Sequence, residues 1–338
     1  MTRNSIVRLS IMILLSLTAA SAQTATSRIV TAADTFLSTL DPKQRSTVLF
    51  SYDDEKQRAR WSNFPVQMTP RGGLPFKDMT PPQRLAAMSL LSNALSKRGF
   101  EKVQQIVEAD ETLKHNEGNN PMFGADLYYI SILGTPSPKD PWMLQFGGHH
   151  LALNITIAGD RGVLTPTLTG AQPATYTANG KTVRPLGRES DKALALLNAL
   201  DETQKKQAIL GFRLADLVLG PGQDGKTIQP EGLKASAMND GQRAMLLDVI
   251  SEWANIVHES AAAARMAELK ADINETWFAW SGPVDGKPGT NIAAYYRIQG
   301  PHLVIEYAPQ RMGGDPGNHV HTMYRDPTND YGRKPAAR

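Results

Sequence analysis

Five of the seven histidines in this 338-residue chain fall in three short motifs, Gly147-Gly148-His149-His150, Gly300-Pro301-His302 and His319-Val320-His321. Imidazole is the commonest protein ligand for zinc, copper and iron near neutral pH. There is no cysteine, so any metal sphere here must be built from nitrogen and oxygen donors. His319 and His321 are two residues apart, so on an extended strand both rings project to one side and can chelate a single ion. The same alternation puts His302 and Glu306 on one face of a strand, and a turn rich in Gly and Pro between Ala308 and Asn318 suits a hairpin that would carry Glu306 towards the paired histidines. The expected metal set is therefore His319, His321 and Glu306, completed by His302 or His150, with His149 beside them. The expected ion is a divalent metal: zinc, copper or iron. Two or three imidazoles with one carboxylate form a common open sphere for these ions. Glu306, Arg325 and Asp326 are the candidate catalytic groups. A guanidinium beside a metal can clamp a carboxylate or phosphate, and an aspartate can orient a ligand ring. The plainer reading is that Arg325 and Asp326 pair with each other at a strand end, and that the glycines of the Gly-Gly-His-His turn only supply positive φ.

The elements that must position these groups read as two copies of one pattern. Leu40-Asp41-Pro42-Lys43-Gln44-Arg45 corresponds to Leu200-Asp201-Glu202-Thr203-Gln204-Lys205, and Gly73-Leu74, Met79 and Gln83-Arg84 correspond to Gly232-Leu233, Met238 and Gln242-Arg243. Each set runs into a long amphipathic pattern, then a strand-like aromatic run, and then the motif pair Phe146–Asn154 and Ile298–Glu306. The fold class expected is α+β: two duplicated helix-then-antiparallel-strand halves, about 29–160 and 188–332, packed about a pseudo-twofold axis. Within the motif pair, Leu151, Leu153, Ile155 and Ile157 make one strand face, and Leu303, Ile305 and Tyr307 make its counterpart. Both are expected to bury against helices.

Residues 1–22 read as a secretory signal, with Arg3 and Arg8 before an apolar stretch and Ala20-Ser21-Ala22 as the cleavage site. The rest, residues 23–338, is expected to form one two-lobed domain, exported to the periplasm or beyond. Without residues 1–22 the chain has 34 basic and 33 acidic side chains, a balance that argues against a nucleic-acid surface. No later segment approaches the roughly 20 apolar residues that a membrane helix needs. Gly220-Pro221-Gly222-Gln223-Asp224-Gly225 has the glycine spacing of a dinucleotide loop, but the residues that follow cannot open a helix, so it reads as a turn. Phosphate-binding loops, nucleophile elbows and His-Glu-x-x-His helices are absent from the sequence.

The strings Phe146-Gly147-Gly148-His149-His150-Leu151, Tyr296-Arg297-Ile298-Gln299-Gly300-Pro301 and His319-Val320-His321-Thr322-Met323-Tyr324-Arg325-Asp326 are distinctive. In them the chain resembles the exported bacterial proteins of the domain of unknown function 3500 family, from about Ala33 to Gly332. The resemblance implies the extent of the domain and no activity. The functional expectation is an exported metal-dependent enzyme, hydrolase or oxidoreductase, acting on a small molecule, with no nucleic-acid or membrane partner. The alternative is a non-catalytic periplasmic protein that binds a metal or small ligand.

Overall fold

The structure is a computed structural model that describes residues 24–159, 161–311 and 314–333. The leader read over residues 1–22 lies outside them. The first stretch of elements comprises α1 (Ala25–Ser38), α2 (Pro42–Val48), β1 (Leu49–Phe50), α3 (Glu55–Arg58), β2 (Leu74–Pro75), α4 (Pro81–Ala94), α5 (Lys97–Asn116), β3 (Tyr129–Leu133), β4 (Trp142–Gly148), β5 (Leu151–Ala158), β6 (Arg161–Val163) and β7 (Thr167–Ala171). A small hairpin, β8 (Tyr176–Ala178) and β9 (Lys181–Val183), leads to α6 (Gly187–Ala199), α7 (Glu202–Ala208), β10 (Leu233–Lys234), α8 (Asp240–Ala254), α9 (Glu259–Ala271), β11 (Trp277–Ser281), β12 (Tyr295–Gly300), β13 (Leu303–Pro309) and β14 (Val320–Arg325).

The fold is mixed α+β around one large mixed sheet. Its strand order is β1-β3-β4-β5-β7-β14-β13-β12-β11-β10, with β2 added to β3 and β6 to β5. Only the β1–β3 pair among these strands is parallel. Local signals explain the helix starts. Asp41 accepts the Gln44 amide while Gln44 accepts the Asp41 amide, and Asp201 and Gln204 do the same. These reciprocal caps satisfy amides that a helix end leaves without partners.

Alternation along the strands separates two environments. Leu151, Leu153, Ile155 and Ile157 of β5, with Leu303, Ile305 and Tyr307 of β13, join one large core with helix residues such as Phe36, Leu90, Ile106 and Trp253. The opposite face carries a smaller cluster: Ala152, Leu168 and Met323 meet Trp61 and Tyr331, which come from irregular segments. His321 precedes Met323 by two residues and shares that second face. The candidate site therefore lies on the sheet face that the irregular segments carrying Trp61 and Tyr331 cover.

Candidate metal centre

The structure brings together three imidazoles from two distant parts of the chain. His150 Nε2 lies 3.0 Å from His319 Nε2, which in turn lies 3.1 Å from His321 Nε2. The three ring centroids form a nearly equilateral triangle with sides of 4.9, 5.1 and 4.8 Å, and all three residues are buried. An ion bound tetrahedrally at 2.0–2.1 Å would hold its nitrogen ligands about 3.3 Å apart, close to the spacing present. Each Nε2 offers one proton or one lone pair. His319 Nε2 faces two neighbours and can satisfy only one of them by hydrogen bonding, whereas a shared cation would take a lone pair from all three.

The backbone explains the convergence. Gly148 pairs with Leu151 across a two-residue turn, and His150 occupies it with φ 62°, a left-handed conformation that non-glycine residues rarely adopt. Its amide donates to the Asn63 carbonyl, and its own carbonyl accepts from the Gly170 amide at 2.7 Å. Gly170 is in turn the cross-strand partner of His321. A Cβ on Gly170 would sit 2.8 Å from the Val320 carbonyl, 3.2 Å from the His321 ring and 3.3 Å from His150 Cβ. The bare glycine is what lets the two rings close over β7.

Burial, followed by the neighbouring histidines, pushes His150 well below the usual imidazole range. Burial also lowers His321, against the opposing pull of Asp216. Both therefore present neutral rings, the form that binds metal. The far nitrogen of His321, Nδ1, faces Asn63 Nδ2 at 3.4 Å and the Asp216 carboxylate at 3.8 Å. Burial would raise Asp216, but the nearby His321 ring and the Leu217 amide outweigh it, so its carboxyl lies below the ordinary range.

His149 packs face to face on His150, with centroids 3.6 Å apart, and has Phe123 at 5.0 Å. Its Nδ1 donates to Asp110 at 2.6 Å, and the other Asp110 oxygen accepts the Gly124 amide. Asp110, His149 and His150 make a second group of closely spaced donors. Sequence reasoning missed Asp110 and Asp216. Asp110 left a signal, because α5 buries Val103, Ile106, Asp110 and Leu113 along one stripe, and a carboxylate on an apolar stripe needs a partner.

The remaining expected site residues lie elsewhere. Glu306 does sit on a strand antiparallel to β14, but opposite Met323. Its carboxylate accepts the Val218 and Leu219 amides at 2.7 and 2.8 Å and the Tyr295 hydroxyl at 2.7 Å. Among the described residues it belongs to neither donor group, and nor does His302. The backbone amides of the segment before Gly220 claim Glu306 first. His302 holds in the β12–β13 turn the place that His150 holds in the β4–β5 turn, but it is half exposed, with Thr328 on Nδ1 and Asp272 at 4.0 Å. Arg325 and Asp326 do not pair with each other. Arg325 bonds Asp224, Asp330 and the carbonyls of Leu219 and Gly220, with its guanidinium over the Trp61 ring. Asp326 binds Arg265 and Thr328. Both are spent on closing loops over the sheet.

Comparison with curated proteins and with solved structures finds no match to this chain. The model of a family described as protein of unknown function (DUF3500) matches residues 22–333, nearly the whole chain, and the protein belongs to that family.

Proposed function

We propose that this protein is an exported metalloprotein whose His150, His319 and His321 hold one divalent cation through their Nε2 atoms, with a small molecule as its substrate. The observation that carries the reading is the meeting of three buried imidazole nitrogens within 3.0 and 3.1 Å steps. Three imidazoles suit zinc or copper, and three protein ligands leave a tetrahedral ion one open position. Bound there, the ion would act as a Lewis acid or, if copper or iron, as a redox centre. The chain's own groups prepare the place. With Nε2 on an ion, His321 Nδ1 would carry a proton and turn it towards the Asp216 carboxylate, 3.8 Å away, and Asp110 holds the His149 ring against His150.

A hydrolytic or oxidative enzyme is the leading form of this proposal. A non-catalytic metal-binding protein is the second, and what favours it is burial: the three rings are only 1%, 8% and 5% exposed. Export to the periplasm or beyond rests on the leader pattern at residues 1–22. The matching caps at Asp41 and Asp201, and the matching hairpin turns that carry His150 and His302, support the reading of two duplicated halves about a pseudo-twofold axis between β7 and β14.

Metal analysis of protein purified without a histidine tag tests the proposal. One equivalent of zinc, copper or iron is expected, and it should be lost from a His319→Ala, His321→Ala variant that remains folded. Protein that stays metal-free after reconstitution with zinc and with copper would overturn it.

A further inference from the structure

A second feature, separate from the histidine trio, is a cavity of about 760 Å3 between α9, β6 and the loop that follows β14. That volume falls within the roughly 300–1,000 Å3 of small-molecule sites. It exists because α9 turns a face of small side chains, Ala261, Ala264 and Ala271, towards Val163 and Leu164. Longer apolar residues at those helix positions would fill it.

One buried polar atom of the cavity lining lacks a hydrogen-bond partner, and a second lies behind the lining residue Gly162. Thr165, only 2% exposed, lines it, and its hydroxyl makes no hydrogen bond. His258 uses Nδ1 on Ser260, leaving Nε2 without a partner, and that nitrogen lies 3.5 Å from where a Cβ on the lining residue Gly162 would sit. Buried polar atoms are normally satisfied, and a bound group is one way to do it. The charged side chains of the lining are Arg161 and Arg265 against Glu268, Asp272 and Asp326. The Arg265 guanidinium is already committed to Tyr324, Glu268, Asp326 and the His302 carbonyl. An anion would meet three carboxylates against two cations, one of them already committed.

We propose that this cavity is a binding site for a neutral, compact and largely apolar molecule that carries one hydroxyl or carbonyl group, which pairs with the Thr165 hydroxyl. The site is independent of the metal reading, so the two can fail separately.

The full mature chain is titrated with Nile red, a neutral dye that fluoresces in apolar surroundings, and with the anionic dye 1-anilinonaphthalene-8-sulfonate. Saturable binding of Nile red, displaced by 4-propylphenol, is expected, with the anionic dye bound much more weakly. Ala264 and Ala271 are both exposed at the rim, so Ala264→Trp and Ala271→Trp should fold, narrow the cavity and weaken Nile red while metal content stays unchanged. Thr165→Val keeps the shape and removes the hydroxyl. It should weaken 4-propylphenol about tenfold and leave propylbenzene unaffected. The proposal falls if no saturable binding is seen, if both tryptophan variants bind Nile red as the wild type does, or if the two ring compounds respond equally to Thr165→Val, which would leave Thr165 with water only.

Discussion

Glu306 gives the sharpest test of the site described here, because sequence spacing and structure assign it different work. As a metal ligand its loss would empty the centre; as an anchor for the segment before Gly220 its loss would loosen the fold. Glu306→Ala removes three hydrogen bonds of 2.7, 2.8 and 2.7 Å. The Leu219 amide and the Tyr295 hydroxyl are buried and would be left without partners, at about 1–3 kcal/mol each. The Val218 amide is only partly buried and can turn to water at little cost. Against this, burial raises the Glu306 carboxyl above its ordinary range despite the three donors, so removing it also relieves a desolvation penalty. The net expectation is a loss of about 3 kcal/mol, which for a domain of this size lowers the melting temperature by roughly 4–5 °C. Glu306→Gln keeps one acceptor and opposes a donor to one amide, so it should cost about half as much. The assay is thermal unfolding of each variant beside its metal content. Unchanged melting with metal lost would make Glu306 a ligand after all, and unchanged melting with metal retained would refute the hydrogen-bond argument itself.

Asparagine tolerates the left-handed backbone at position 150, so His150→Asn should fold yet bind metal about 100-fold more weakly, since roughly 10–16 kcal/mol spread over four ligands is about 3 kcal/mol each; competition with a chromophoric chelator measures it, and wild-type affinity would remove His150 from the sphere. Asp110→Ala strands the Gly124 amide and His149 Nδ1 in the interior and should lower stability by about 2–4 kcal/mol in urea unfolding, whereas a neutral outcome would mean that the pair is idle. His150, His321 and His258 all lie below the ordinary imidazole range, burial being the first cause in each. The unfolded chain takes up protons near pH 6.5 that the folded chain refuses, so the metal-free protein is fully stable above about pH 6.5 and loses stability as the pH falls from there towards the depressed values. Urea midpoints of the metal-free protein should therefore drop on acidification, less steeply in His258→Gln, and a flat profile would contradict the burial of these rings.

Much of the fold could be read from residue patterns, because alternation and helical periodicity are local. The apolar faces of β5 and β13, the reciprocal caps at Asp41 and Asp201 and the same-side projection of His319 and His321 each depend on residues close together in the chain. The site could be read only in part, because it depends on which strand lies beside which. Spacing alone favours the nearest partner for His319-x-His321, namely Glu306 across the next turn. In the sheet, β13 and β14 do pair, yet the neighbour on the other side decides which imidazole joins the pair. β7 is a five-residue strand of modest sequence, inserted between β5 and β14, and it places Gly170 opposite His321 while the Gly170 amide bonds the carbonyl of His150. That chain of contacts selects His150 over His302, although the two occupy the same place in matching hairpin turns. No spacing rule separates them. What separates them is Gly170, more than a hundred residues from His319 and His321, together with the loop amides that hold Glu306.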